Sequence, residues 1–217
     1  MTTAPRLVEV RQNILKHNDV IARALRARFD ENRLRVISLV SSPGSGKTTL
    51  LERILTDMGR HYRVAALVGD LATENDAVRL ARSGAAVRQI TTGTICHLEA
   101  AMVEQALDGW ALDQLDFLFV ENVGNLVCPA SYDLGEHLRI VILSVTEGED
   151  KPLKYPTIFN TADVAVITKI DLAGAVEFDR RAMERNVQTV RPGMRTLAVS
   201  AKTGEGMGEL VALLEHD

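Results

Sequence analysis

Two cysteines, Cys96 and Cys128, are all that the 217-residue sequence carries. That is too few for a disulfide framework, and thiols in a reducing compartment are more often buried or functional than cross-linked. Aromatic residues are only 4% of the chain, so aliphatic side chains must fill most of any core. No apolar run approaches the roughly 18 residues of a membrane span, and the opening MTTAPRLVEV lacks the apolar centre of a secretory signal. A cytoplasmic protein without a membrane partner is therefore expected. Positive charge is also in short supply. Twenty-five Lys and Arg against 29 Asp and Glu leave a net charge of −4, which argues against nucleic acid as a partner. The basic residues that do cluster lie in residues 1–35, with eight Lys or Arg against four acids. Before Cys96 the only histidines are His17 and His61, so no histidine-rich metal-storage tract is expected. No internal repeat, low-complexity tract or long linker is present.

What is present is 46% hydrophobic residues, enough for a packed core. Leu7, Val10, Ile14, Ile21 and Leu25 recur at three-, four- and seven-residue steps, which predicts an amphipathic lead helix. The period then changes to short aliphatic runs at 36–40, 64–68, 117–120, 140–143, 164–167 and 196–199, with a weaker one at 86–91. Helix-like segments such as 48–58, 97–107 and 175–187 fall between them. Strands alternating with helices predict an α/β fold, a mainly parallel sheet with helices on both faces.

The run 36–40 leads directly into Ser41-Ser42-Pro43-Gly44-Ser45-Gly46-Lys47-Thr48-Thr49, after which a helical pattern begins. A glycine-rich turn between strand and helix lets Gly44, Ser45, Gly46 and Thr49 aim backbone N–H groups at phosphates. Lys47 reaches the outer phosphates, and Thr48 offers a hydroxyl to Mg2+. Ser41 stands where the usual pattern begins with Gly. Thr168-Lys169-Ile170-Asp171 follows a strand and resembles the guanine-specificity motif of GTPases. The Asp171 carboxylate can accept from guanine N1–H and the exocyclic amine, a donor pair that adenine lacks, while the Lys169 stem covers the base. Ser200, Ala201 and Lys202, at another strand end, resemble the loop that meets guanine O6. Asp70 and Glu121, both at strand ends, are candidates for Mg2+ or its waters. The expected organisation is one P-loop NTPase domain over 1–217, with the lead helix at 1–33 and the GTP-binding part at 34–217.

Cys96-His97 and Cys128 follow two further strands, and thiolate with imidazole suits Zn2+ or Ni2+. On spacing alone, two buried apolar cysteines and a histidine at a helix start are the better reading. A closed tetrahedral site needs a fourth donor, from water, a second subunit or a group such as His137.

Residues 41–49, Gly69-Asp70, the stretches 92–97, 121–129 and 147–156, and residues 168–171 together resemble the HypB family of hydrogenase nickel-incorporation GTPases, a SIMIBI-class branch of the P-loop GTPases. The resemblance runs from the lead helix to the end of the chain. It implies hydrolysis of GTP to GDP and phosphate, a homodimer linked by GTP and metal, and delivery of Ni2+ to the large-subunit precursor of [NiFe]-hydrogenase; no residue stands out as a strong general base, so slow intrinsic turnover is expected. It also implies Cys96, His97 and Cys128 as a Ni2+ or Zn2+ site near a subunit interface, and the nickel metallochaperone HypA as a partner for the lead helix, which carries Arg11, Lys16, Arg23 and Arg26. Lys151 and Lys154 are candidates for reaching the nucleotide or an acidic group of the partner. Relatives that serve urease carry Cys-Pro-His, where this chain has Cys128-Pro129-Ala130. An accessory GTPase for another metallocofactor enzyme, of the urease or cobalamin kind and with structural cysteines, is the alternative. A kinase-like metabolite enzyme is disfavoured by Lys169 and Asp171.

Overall fold

The computed structural model describes residues 5–70 and 75–216, with side chains of the first helix from Gln12 onward. Leu7, Val10 and Arg11 of the expected lead-helix pattern therefore lie outside the described side chains. In chain order the elements are α1 (Pro5–Glu31), β1 (Arg35–Ser41), α2 (Lys47–Met58), β2 (Val64–Asp70), α3 (Asn75–Ala81), β3 (Ala86–Thr91), α4 (Ala100–Ala106), β4 (Phe117–Glu121), β5 (Leu138–Ser144), α5 (Lys151–Lys154), α6 (Pro156–Thr161), β6 (Val164–Thr168), α7 (Arg180–Val190), β7 (Arg195–Ala198) and α8 (Met207–His216).

The seven strands form one sheet in the order β3-β2-β4-β1-β5-β6-β7, and every neighbouring pair is parallel. Parallel strands buried on both faces must read as near-continuous hydrophobic runs, and residues 36–40 (broken only by Ser38), 117–120, 140–143 and 164–167 of β1, β4, β5 and β6 do. Alternation along β1 divides its side chains between cores. Ile37 and Leu39 pack with Leu51 and Ile54 of α2 and Leu210 of α8. Val36 faces the other way, toward Leu25 and Phe29 of α1 and Val103 of α4. Val40 joins a third cluster with Phe159 of α6 and Met183 of α7. Phe29 is fully buried, which stabilises the docking of α1 by about 2–3 kcal/mol. Asn18 fixes the same helix with polar geometry. Its Oδ1 accepts from Ala100 N at the start of α4, and its Nδ2 donates to Asp133 O.

Two helix boundaries differ from the sequence expectation. The segment 97–107 becomes helical only at Ala100, because Glu99 is extended (φ −115°, ψ 155°). The segment 175–187 becomes helical only at Arg180, where the Asp179 carboxylate accepts from Ala182 N as an N-cap. In both cases the residues outside the helix shape a loop at the carboxyl end of the sheet. β1 lies between β4 and β5, so chain direction from β1 diverges at this edge, where crevices form in open parallel sheets. Among the described residues no helix is long and apolar enough to cross a membrane.

Candidate nucleotide and metal site

The loop leaving β1 turns through Gly44 at φ +76° and Gly46 at φ +88°, left-handed angles that cost a side-chain-bearing residue roughly 1–2 kcal/mol. Ser41 is not among the residues with positive φ, so its position makes no demand for glycine. α2 then begins at Lys47 with its first N–H groups aimed into a cleft of about 510 Å3 lined by residues 41–49, Asp70, Asp76, Arg79, Gly124 and Lys169. Glu121, at the end of β4 and 1% exposed, reaches into this loop. Its Oε1 accepts from Thr48 Oγ1 at 2.7 Å and lies 3.1 Å from Lys47 Nζ. Its Oε2 is buried without a hydrogen-bond partner, a costly state unless another positive group is supplied. Two carboxylates at strand ends and the Thr48 hydroxyl make a hard-oxygen set, which suits Mg2+.

The candidate base-recognition residues are tied to the loop after β1. Thr168 Oγ1 lies 2.6 Å from Ser45 O and 3.0 Å from Leu143 O. Lys169 adopts φ +58°, an unusual angle for a side-chain-bearing residue, and its Nζ donates to Gly44 O at 2.7 Å. Asp171 Oδ1 accepts from Ser200 Oγ at 2.7 Å, and Ser200 Oγ accepts from Thr203 N. The two sequence segments expected to read a base are thus joined by one hydrogen bond. Ala201 O accepts from Arg53 Nη1, and Lys202 is exposed beside it.

Lys154 does not line the phosphate cleft. It is exposed and paired with Asp150, and the Lys154 ammonium hydrogen-bonded to that carboxyl holds Asp150 below the usual carboxylate range. Lys151 instead lies 3.5 Å from Glu147. Glu147 caps Ser144 N and accepts from Ser42 Oγ of the phosphate loop, so segment 144–154 is linked to that loop through one carboxylate.

β2 lies between β3 and β4, so the connections leaving β3 and β4 converge over its end. They bring together Cys96, His97 and Cys128, with one ligand atom from each all within 4.8 Å of one another. Both thiols are free, and their sulfurs are 2.9 Å apart. The adjacent Cys128 sulfur, followed by burial, raises the Cys96 thiol above its ordinary range. The His97 ring lies 4.0 Å from that of Tyr132, and its Nε2 is 3.3 Å from Glu99 Oε1 without hydrogen-bond geometry. Three soft or borderline donors leave an open coordination position. His137 does not fill it. That imidazole sits at the amino end of the sheet, where Nδ1 accepts from Val36 N and Nε2 meets Asp30, so the suggestion of His137 as a fourth donor is corrected.

Asn122, which the motif reading had not singled out for a role, joins the two halves. Its Oδ1 accepts from Leu98 N, beside His97, and from its own neighbour Val123 N. Leu98 packs directly on Gly69, where a Cβ would meet its side chain at 2.9 Å. Farther along, Gly124 abuts Pro43 of the phosphate loop, and Asn125 Nδ2 donates to Cys96 O. A buried amide directly after a buried strand that ends in a carboxylate is the signal in sequence for such a brace. Asp76 and Arg79 of α3 were also missed as cleft residues, because Arg79 is placed by an ion pair with Glu52 of α2.

Residues 35–198 match the family model described as the CobW/HypB/UreG nucleotide-binding domain. The chain is 49% identical to the hydrogenase maturation factor HypB of Azotobacter chroococcum, over 97% of this chain and 69% of that one. It is 44% identical to the hydrogenase/urease maturation factor HypB of Helicobacter pylori, over 90% and 81%. The crystal structure of HypB from Helicobacter pylori in complex with nickel superposes with a TM-score of 0.86 at 42% identity, covering 92% of this chain and 94% of that one.

Proposed function

This chain belongs to the CobW/HypB/UreG family and is a HypB-type hydrogenase maturation factor, and from that premise we propose that it is a GTP-hydrolysing metallochaperone for nickel insertion into [NiFe]-hydrogenase. One observation carries the reading. The dipeptide Glu121-Asn122 has its first side chain on Lys47 and Thr48 and its second on the loop that holds Cys96 and His97. A change at the phosphates is therefore one peptide bond from a change at the metal ligands.

Asp171, held by Ser200, selects GTP over ATP, and Lys169 covers the base. Lys47 and the N–H groups at the start of α2 take the phosphate charge. Thr48, Asp70 and Glu121 would hold Mg2+, which adds positive charge at the same phosphates. Glu121 now occupies the Lys47 ammonium, so phosphates entering the cleft compete for that cation and draw on the β4 end. Among these residues none is poised as a strong general base, and slow intrinsic turnover by positioning and charge neutralisation follows.

Cys96, His97 and Cys128 bind Ni2+ or Zn2+ as cargo, and a second copy of the chain completes the open site. Val127, beside Cys128, is 62% exposed, as an apolar residue at a subunit contact would be. GTP draws two protomers together, hydrolysis to GDP resets the site, and linkage requires metal to change GTP affinity by the same factor. The lead helix meets HypA, and the metal passes to the hydrogenase large-subunit precursor. The whole chain acts as one GTPase domain in the cytoplasm.

The test is the double variant Cys96→Ala, Cys128→Ala. Loss of stoichiometric Ni2+ and Zn2+ binding with GTP hydrolysis retained supports the proposal. Unchanged metal stoichiometry overturns it in favour of an accessory GTPase with structural cysteines, such as one serving urease or a cobalamin enzyme.

A further inference from the structure

A second polar cleft, of about 740 Å3, lies at the opposite end of the sheet from the phosphate loop, among the first residues of β1 and β5. Three arginines line it, and two are already matched. Arg26 Nη2 donates to both oxygens of the Asp133 carboxylate and to Glu136 O. Arg139 pairs with Glu136 and donates to Tyr132 O. Burial would raise the Asp133 carboxyl, yet the Gly135 N–H and the Arg26 guanidinium outweigh it and hold the group below the usual range. Asp163, the remaining acid of the lining, accepts from Arg139 N and faces Arg191 at 4.0 Å.

Arg35 is different. Its Nε and Nη2 are both buried, and neither has a hydrogen-bond partner. Those two nitrogens form the side-on edge of the guanidinium, the edge that receives a carboxylate with two parallel bonds. Buried N–H donors without acceptors are costly, and here they belong to a partly exposed side chain that borders an open cleft in which the other cations are already engaged.

We propose that this cleft binds a carboxylate and that Arg35 is the residue that receives it. Turning the end of the Arg35 side chain presents the Nε and Nη2 edge to the cleft. A single negative charge fits the vacancy in the charge pattern. A phosphate dianion meets Asp133, Glu136 and Asp163 around the same space and is repelled. The carboxylate comes either from a small free acid or from a Glu or Asp side chain of a protein partner. The site is independent of the nucleotide and metal reading, since Arg35 and Ser41 stand at opposite ends of β1.

The experiment follows the Nε–Hε resonance of Arg35 by NMR in the full-length protein during separate titrations with acetate, a capped glutamate-containing peptide, inorganic phosphate and chloride. Saturable shifts with acetate identify a small-acid site. Saturation by the peptide alone identifies a protein side chain as the source. Affinity, read in the parent protein and in the variants alike from the backbone amide resonances of residues lining the cleft, falls by about tenfold or more in Arg35→Gln, as expected for removal of a charge-assisted bidentate pair. Arg35→Lys, which keeps the charge and loses the fork, covers the case in which Arg35→Gln fails to fold, and an unchanged unfolding midpoint certifies whichever variant is used. Shifts with chloride or phosphate equal to those with acetate, no response to any of the four, or unchanged affinity in the folded variant overturns the proposal.

Discussion

The phosphate loop and the thiol cluster sit at the same edge of one sheet but are assembled in opposite ways. The loop is nine consecutive residues whose glycine angles and helix start are set locally, so its shape follows from its own sequence. The thiol cluster joins residues 32 positions apart, and it exists only because β2 separates β3 from β4 and lets two connections meet above it. A contiguous site tolerates change elsewhere in the fold. A site closed by topology depends on the residues that hold its halves together, and here Asn122, Asn125, Leu98 and Gly69 do so.

The sharpest way to break the comparison is to remove one centre and watch the other. Lys47→Ala takes the main cation from the phosphates and is expected to lower GTP turnover by about a thousandfold, with Ni2+ stoichiometry in nucleotide-free protein unchanged by equilibrium dialysis. Loss of metal binding in this variant would mean that the two centres are not separable.

Metal binding carries the next largest effect through pH. The Cys96 thiol is raised by its neighbour Cys128 and by burial, so it is protonated at neutral pH, and binding as thiolate must release that proton. Affinity therefore rises with pH until the raised value is passed. Below it, affinity falls by about tenfold per pH unit for that one proton. Calorimetry in buffers of different ionisation enthalpy reads the proton count, and a pH-independent affinity would contradict thiolate ligation.

Asp171→Asn replaces half of the acceptor pair by a donor. GTP over ATP preference is expected to drop by about ten- to a hundredfold, measured by competition for the nucleotide-free protein. The metal site, on the far side of Glu121, is not altered.

The same contrast explains what could be read from sequence. Residues 41–49 and 168–171 were legible because each motif completes its chemistry within a few neighbours. The Cys96, His97 and Cys128 set was nameable only by resemblance, since spacing alone favours buried thiols. His137 was offered as a ligand on chemistry alone, and the strand order sends it to the other end of the sheet. Asn122 drew no role because its partner Leu98 N is 24 residues away and invisible to any local pattern. The late starts of α4 and α7 were misjudged for a related reason. Helix-forming composition runs through 97–99 and 175–179, but loop geometry and the Asp179 cap override it.

The smallest expected effect is the most informative about how the halves communicate. Asn122→Ala leaves Leu98 N and Val123 N without their acceptor and costs about 1–3 kcal/mol of stability. It is also expected to remove about 0.5–2 kcal/mol of coupling between the centres, read as the ratio of metal affinities in two nucleotide states while each centre still binds its own ligand.

That ratio in the unaltered protein is the direct test of the central claim. Ni2+ and Zn2+ affinities are measured at equilibrium with a non-hydrolysable GTP analogue and with GDP, both with Mg2+, at one pH and protein concentration. A difference of about fivefold or more between the two nucleotide states is predicted, the lower end of ordinary coupling between sites. Equal affinities in both states would mean that Glu121-Asn122 is a structural junction, and the account of a nucleotide-driven metal switch would be wrong.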